Sequence, residues 1–318
     1  MTDTAVPQSG GESLDHVVGR LAPTPSGRLH LGNVCAFAGA WLSARAQGGR
    51  LLLRIEDVDK VRADRVVEDS LRDDLTWLGL IWDEETRRQS ERDYAPVLAA
   101  LAPFTYYCDC TRAAIQAAGG VYPGTCRDRG LTDGAIRFRL PDEPLAFVDR
   151  ARGRHVTDLR LMGDPVLRRR DGFYAYNLAV VADDLADGVT EVVRGEDLLD
   201  QSAVQICLWR ALGHEPPTWL HTPLIMGEDG RKLSKSHGSV HIGELRASGW
   251  NVADVWRQVL PWLGIGTKGV ARVEDAVPLF LPAAVRRGPI TAPFVPSGSY
   301  ILPDADACPP TGDRTGDA

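Results

Sequence analysis

Three groups of residues in this chain are equipped for chemistry. The first is PTPSGRLHLGN, residues 23–33, which joins a strand-like run to a helical one. In open α/β sheets ligands bind at the carboxyl ends of strands. The N-terminus of a helix also favours phosphate, through its free N–H groups and its dipole. Gly27 and Gly32 give a ligand access to the backbone, and the His30 ring offers a hydrogen bond to a phosphate oxygen, with Asn33 ending the motif. The same letters also describe a Gly/Pro-rich turn with a surface histidine. The second group is GRKLSKS, residues 230–236, in a polar loop after a strand-like run. Two lysines three apart, Lys232 and Lys235, can bracket a triphosphate. Lys235 would then neutralise charge building on a departing pyrophosphate, a kind of stabilisation that is usually a large catalytic term. A solvated basic loop is the plain alternative. The third group is Cys108, Cys110 and Cys126. Three thiolates and one more donor complete a tetrahedral zinc site, and a closed site of four ligands is structural. On chemistry alone a downstream histidine such as His155 competes for the fourth place, and reduced thiols that merely share a loop explain the cluster without metal.

The elements that position these groups are legible in the apolar pattern. HVVGRLA reads as a strand, LHLGNVCAFAGAWLSARAQ as a helix stopped by Gly48 and Gly49, and LLLRI (51–55) as a second strand. Strand, helix and strand within about 40 residues make a βαβ unit, and hence a parallel sheet of the nucleotide-binding type. RVVEDSLRDDLTWLGL aligns Val67, Leu71, Leu75 and Leu78 on one helical face, and RDYAPVLAAL suggests another helix. From Phe104 to Asp133 the rhythm breaks with Gly, Pro and the three cysteines, as in an insertion. IRFRL and LAFVD then read as strands. AVVADD, TEVVRGEDLL, a helix over about 200–212 and HTPLIM restore the α/β alternation. IGELRASGW and VADVWRQVLPWLG are helical again. Cys35 and Cys207 lie inside apolar helical patterns and read as core.

Composition narrows the class. The chain has 318 residues, 44% apolar and 25% charged, with a net charge of −7. It is therefore an ordinary globular protein of two or three units. It has no general basic coat, so a nucleic-acid partner must meet a local patch. RGRH (152–155) and RRR (168–170) are the candidates. Six cysteines are too few for a disulfide scaffold. No apolar run is long enough to span a membrane, and Met1–Asp15 lacks the pattern of a signal peptide, so a cytoplasmic location is expected. Residues 1–15 and 303–318, rich in Gly, Pro, Ser, Thr and Asp, read as loose ends.

An HxGN turn after the first strand, paired with a KLSKS loop some 200 residues later, resembles class I aminoacyl-tRNA synthetases. RLAPTPSGRLHLGN, LLRIEDVDKVR, FYAYNLAVVADD, TEVVRGEDLL and RKLSKS, in this order, are similar to the glutamyl branch. That branch continues after KLSKS into a helical anticodon-binding module, for which too few residues follow here. In this the chain resembles the glutamyl-Q subfamily, which attaches glutamate to queuosine in the anticodon of tRNA(Asp).

The resemblance implies a Rossmann-type doubly wound parallel sheet, with an inserted zinc-containing acceptor-type subdomain and a short helical C-terminal region. Its divisions are a first Rossmann half over 16–103, a zinc-binding segment over 104–135, the rest of the insertion and the second half over 136–225, and the KLSKS loop with a stem-contact region over 226–302. It implies that Arg20, Ala22, Thr24, Glu56, Tyr176 and Arg194 bind glutamate, with Glu56 on its amine. It implies that His30, Gly32, Asn33, Lys232 and Lys235 bind ATP, His30 and Lys235 acting catalytically. It also implies that Tyr122 joins the three cysteines on one structural zinc, that Mg accompanies ATP, and that the anticodon stem-loop of tRNA(Asp) carrying queuosine is the partner. Read without the family, Arg20 is a strand-end charge, Glu56 part of an acidic run, Tyr176 core and Arg194 a surface ion pair. The rival functions are a truncated enzyme charging the 3′ end of tRNA(Glu), a non-catalytic nucleotide- or RNA-binding paralogue, and an adenylate-forming enzyme with a small-molecule acceptor.

Overall fold

The computed structural model describes residues 16–58, 64–227, 230–233 and 240–292. The expected loose ends at 1–15 and 303–318 lie outside them, as do Ser234, Lys235 and Ser236. The chain runs β1 (Val18–Leu21), α1 (Leu31–Ala46), β2 (Arg50–Leu53), α2 (Arg65–Trp77), β3 (Glu84–Glu85) and α3 (Ala95–Ala100). It continues through β4 (Thr105–Cys108), α4 (Arg112–Ala117), β5 (Ala135–Phe138), β6 (Leu145–Asp149), β7 (Gly153–Thr157) and β8 (Val166–Arg168). Then come α5 (Tyr176–Ala186), β9 (Glu191–Gly195), α6 (Leu199–Ala211), β10 (Thr218–Thr222), β11 (Ile225–Met226), α7 (Ile242–Ala247), α8 (Val252–Val259) and β12 (Ile290–Thr291).

The predicted βαβ unit is present, with β1 parallel to β2 in the register Val18↔Arg50 and β3 beyond it. A second run of strands has the order β7-β6-β10-β9, parallel except at the edge strand β7. The two runs meet between β1 and β9. There the Thr190 N–H donates to Val18 O at 3.0 Å and the Val18 N–H to Thr190 Oγ1 at 2.9 Å. The strand order thus reverses between β1 and β9, and the crevice at such a switch point, outside the carboxyl ends of the strands, is where open α/β sheets bind ligands. β4, β5 and β8 form a separate antiparallel sheet. Of the two strands expected after the insertion, IRFRL therefore belongs to the small sheet and LAFVD to the large one.

Helix α1 is apolar nearly all round because it is buried on more than one side. Val34, Cys35, Ala38, Leu42 and Ala44 have no exposure, and α1 shares its core with Leu21, Leu53, Trp256, Leu263 and Val273. Gly39 allows its close seat, since a Cβ there would fall 2.7 Å from Thr222 Cγ2. Full burial of each such Leu or Val is worth ~1.5–3 kcal/mol. The expected face of α2 is inside, with Leu71, Leu75 and Leu78 buried, and the helix starts on an N-cap bond from the Val66 N–H to the Asp64 carboxylate at 2.8 Å. Cys35 and Cys207 are core, as expected.

Candidate active site

Arg20 on β1 and Arg194 on β9 flank the switch-point crevice. Both are buried, at 5% and 7% exposure, but their surroundings differ in charge. Arg20 donates to Val193 O at 3.1 Å and pairs with Asp184 of α5 at 3.4 Å. Next to it Arg54, wholly enclosed, meets Asp184 at 2.7 Å, Glu56 at 3.2 Å and Asp187 at 3.3 Å. Arg92 adds pairs to Asp187 at 2.7 Å and Asp183 at 3.4 Å. Three guanidinium groups thus face four carboxylates, Glu56, Asp183, Asp184 and Asp187, and this side of the crevice is one negative charge in excess. Burial raises the Glu56 carboxyl above its usual range, against the pull of Arg54 and Arg20.

Arg194 is held by neutral groups only, among the described residues. It donates to Ser202 Oγ at 2.7 Å, Gln205 Oε1 at 2.9 Å, Leu198 O at 3.2 Å and the Tyr176 hydroxyl at 3.4 Å. Its guanidinium sits 5.0 Å over the Trp219 ring. Burial depresses its pKa below the usual arginine value, and Asp184 opposes this only through space, which marks a desolvated cation without a direct ion pair among the described residues. Such a cation is a receptor for an incoming carboxylate. Tyr176 feels the charges of Arg194, Glu56, Arg20 and Asp184 together, so these side chains share one environment. Ala22 and Thr24 lie on the turn after β1, where Pro23 O accepts the Glu56 N–H at 3.0 Å and ties that turn to the segment after β2. The structure thus brings the expected glutamate residues together. Sequence reading missed Arg54, Asp183 and Asp184, although charged residues inside the apolar runs LLLRI and LAVVADD were a usable signal.

His30 is the N-cap of α1. Its Nδ1 accepts from the Asn33 N–H at 3.3 Å, while Asn33 Oδ1 accepts from the His30 N–H at 3.3 Å. A neutral ring in this pose carries its proton on Nε2. Gly32 serves this arrangement, because a Cβ there would press on the ring at 3.1 Å. The glycine thus makes room for the histidine, a role distinct from the expected approach of ligand to backbone. Lys232, paired with Asp197 at 2.5 Å, is held where Leu233 N–H bonds Ile225 O at 2.9 Å. Glu196, its neighbour in TEVVRGEDLL, accepts from the Leu224 N–H at 3.1 Å and pairs with Arg152 at 2.8 Å. Lys235 lies outside the described residues.

At the end of β4, the Sγ atoms of Cys108, Cys110 and Cys126 all lie within 4.8 Å of one another, with 3.6 Å between Cys110 and Cys126, which lie in the segments between β4 and β5. Zinc–sulfur bonds of about 2.3 Å at tetrahedral angles put sulfurs about 3.8 Å apart, so the spacing fits. The Tyr122 hydroxyl accepts from the Cys126 N–H at 2.8 Å, and Tyr122 is buried in one cluster with Cys108 and Cys126. Burial pushes the Cys108 thiol up, but Arg137, the Cys110 backbone and Tyr122 bring it below its ordinary value, whereas burial and the Cys126 thiol push Cys110 up to about 12. His155, the rival for the fourth place, is on β7 in the large sheet and bonds Asp200 at 2.9 Å. Of the expected basic patches, Arg152 and His155 are engaged internally, whereas Arg154 and Arg168–Arg170 are exposed, with Arg169 paired to Asp171 and Arg170 bonded to Asp109 O at 2.9 Å.

Comparison with known proteins agrees with this geometry. The family model for tRNA synthetases class I (E and Q), catalytic domain, matches residues 16–118 and 128–269, and its break spans Tyr122 and Cys126. A glutamyl-Q tRNA(Asp) synthetase of Pseudomonas aeruginosa (strain LESB58) is 47% identical over 229 residues, 70% of this chain and 78% of that protein. One of Symbiobacterium thermophilum is 41% identical over 308 residues, 86% of this chain and 95% of that protein. Among solved structures, a glutamate tRNA ligase from Elizabethkingia meningosepticum in complex with its amino acid superposes with a TM-score of 0.77. It is 27% identical and covers 87% of this chain and 67% of its own. With a reversed strand order at the crevice, a histidine capping the first helix and a family match across most of its length, the chain belongs to the class I tRNA synthetases of the E and Q type.

Proposed function

We propose that this protein activates L-glutamate with ATP and transfers it to the queuosine base in the anticodon of tRNA(Asp). The observation that carries the amino-acid half is the charge asymmetry of the crevice. A buried cation with only neutral hydrogen-bond partners among the described residues, Arg194, stands across from a cluster with one carboxylate in excess that includes Glu56 and Asp184. A zwitterion with an extra carboxylate satisfies both sides. The acceptor half rests on the relatives named glutamyl-Q tRNA(Asp) synthetase, one of them aligned along nearly its whole length.

In the first step an oxygen of the glutamate α-carboxylate attacks the α-phosphorus of ATP. The bond from that phosphorus to the bridging oxygen breaks, and pyrophosphate leaves. No protein nucleophile takes part, so the chain contributes positioning and charge stabilisation. Arg20, Arg194 and Tyr176 hold the carboxylate side of the amino acid, Glu56 its ammonium, and Ala22 and Thr24 line the turn. His30 meets the phosphates at the start of α1 with Gly32 and Asn33, and Lys232 and Lys235 meet them from the loop. Mg accompanies ATP as counter-charge. In the second step a hydroxyl of the queuosine cyclopentenediol attacks the activated carbonyl carbon, giving an ester and releasing AMP. Cys108, Cys110, Cys126 and Tyr122 would hold one structural zinc, which would tie the segments after β4 together. Arg154 and Arg168–Arg170 contact the RNA backbone, and the enzyme works in the cytoplasm. Among the described residues no helix is long and apolar enough to cross a membrane.

The test is transfer of labelled glutamate, with ATP and Mg, to tRNA(Asp) carrying queuosine, to unmodified tRNA(Asp) and to tRNA(Glu). Label on the queuosine-bearing RNA alone is expected. Label on tRNA(Glu) alone would replace this reading with that of a minimal charging enzyme.

A further inference from the structure

Behind Arg194 runs a buried chain of polar groups that neither step above uses. At the end of β6, Asp149 Oδ1 accepts the backbone N–H groups of Ala151 and Arg152 at 2.9 and 2.8 Å. Its Oδ2 lies 2.7 Å from Nδ1 of His221 on β10. His221 Nε2 faces Ser202 Oγ of α6 at 3.1 Å and Arg194 Nε at 3.4 Å. Ser202 Oγ in turn accepts from Arg194 Nη2 at 2.7 Å. The side chains of Asp149 and His221 have no exposure, and neither has Ser202.

The order carboxylate, imidazole, hydroxyl is that of a hydrolytic triad, but the hydroxyl is sealed from solvent and already accepts from a guanidinium. It has no route to a substrate carbonyl. Hydrogen-bond logic gives the chain a different use. A carboxylate only accepts and a guanidinium only donates. The imidazole between them therefore carries its proton on Nδ1 and turns a lone pair at Nε2 toward Ser202 and Arg194. Burial lowers the His221 pKa, against the opposing pull of Asp149, and so favours the neutral ring this pattern needs. A protonated ring would set an N–H against the N–H groups of Arg194.

We propose that Asp149, His221 and Ser202 are positioning residues for amino-acid recognition, fixing Arg194 through lone pairs while leaving its charge for the substrate. A carboxylate in direct contact with Arg194 would hold it as firmly but would consume the charge, as Asp184 does beside Arg54. Here the anion is set back by one imidazole, which orients the guanidinium without pairing with it. The inference rests on the assignment of Arg194 to the glutamate carboxylate, so the experiment tests both separately.

KM for glutamate, KM for ATP and kcat are measured for Asp149→Asn, Ser202→Ala, Arg194→Lys and the double variant Asp149→Asn/Arg194→Lys, with thermal melting as the fold check. In Asp149→Asn the two backbone N–H groups keep the amide oxygen, and the amide N–H turns to His221 Nδ1. That reverses the ring's donor and acceptor ends and presents an N–H to Arg194. A rise of about tenfold in glutamate KM is expected, with ATP KM within twofold, because tenfold corresponds to one charge-assisted hydrogen bond misplaced in a buried site. Ser202→Ala should raise glutamate KM about threefold, and the double variant should be no worse than Arg194→Lys alone. Arg194→Lys with unchanged glutamate KM would remove the assignment of Arg194, and the proposal with it. A large effect of Arg194→Lys with no glutamate-specific effect of Asp149→Asn or Ser202→Ala would overturn the relay alone. So would equal rises in both KM values, or additivity in the double variant. If Asp149→Asn does not fold, Ser202→Ala decides by the same criterion.

Discussion

Replacing Arg54 by methionine is the sharpest probe of the charge cluster beneath the site. The arginine has no exposure and sits 2.7 Å from Asp184, 3.2 Å from Glu56 and 3.3 Å from Asp187. Methionine keeps much of the volume but removes the cation, stranding carboxylates that cannot reach water. Breaking a buried pair from one side costs about 3–5 kcal/mol. Asp184 retains Arg20 at 3.4 Å and Asp187 retains Arg92 at 2.7 Å, so the middle of that range, about 4 kcal/mol, is expected. At roughly 1.5–2 °C per kcal/mol for a folded body of this size, the variant should melt about 6–8 °C below the wild type near neutral pH. The loss has a pH signature. Burial already holds the Asp183 carboxyl above its usual range against the pull of Arg54, and removing that cation raises it further above its unfolded value. The folded form then binds protons that the unfolded form does not, and stability is regained as pH falls. The gap between variant and wild type should therefore narrow toward about pH 5. Melting curves across that range are the assay. A loss under about 1 kcal/mol, or a gap that does not change with pH, would refute the account of a strongly coupled buried cluster.

Gly32→Ala should leave melting unchanged or slightly higher, since alanine is the better helix former by about 1 kcal/mol. ATP–pyrophosphate exchange should nonetheless fall, because the new Cβ presses on the His30 ring at 3.1 Å. Intact exchange would show that the ring's position is not critical. Cys126→Ser should lose bound zinc by elemental analysis and melt lower, and wild-type protein without zinc would remove the metal site. Glutamate KM should rise as pH drops from about 8 to 5, since burial lifts the Glu56 carboxyl and it protonates earlier than an ordinary one. Glu56→Gln should bind glutamate weakly throughout and lose that slope, so a slope kept in the variant would assign the titration elsewhere.

What was legible in the sequence was local. The βαβ unit declares itself because β1, α1 and β2 follow one another directly, and the cysteines cluster within nineteen residues. Glu56 and Arg194 were reached through matched motifs, not through their own types. The partners that give them meaning were hidden by sequence distance. Arg54 meets Asp184 only because α5 folds back over β2, and Arg194 meets His221 only through the pairing of β9 with β10. IRFRL and LAFVD look alike as strands, yet the first pairs along its length with β4 before it, whereas the second joins the large sheet through β10, which comes much later. Gly32 also accommodates the His30 ring, which folds back over the start of α1. No periodicity reports that fold-back.

The burial of α1 has a consequence for the order in which this protein can be made. Its strands β9 and β10 and its far-side neighbours Trp256, Leu263 and Val273 are encoded some 150 to 230 residues after the helix itself. At ribosomal speeds of about 5–20 residues per second, α1 waits roughly 10–45 s for the last of them. Until then the surface carrying Leu31, Val34, Trp41 and Leu42 has β1, β2 and the segment from α2 to Ile81, whose carbonyl takes the Trp41 indole N–H, to lean on. Long-range closure of this kind slows folding and leaves sticky intermediates. A ribosome stalled anywhere before the α8 coding region would therefore carry a nascent chain with its principal helix exposed, a ready client for chaperones and a seed for aggregation.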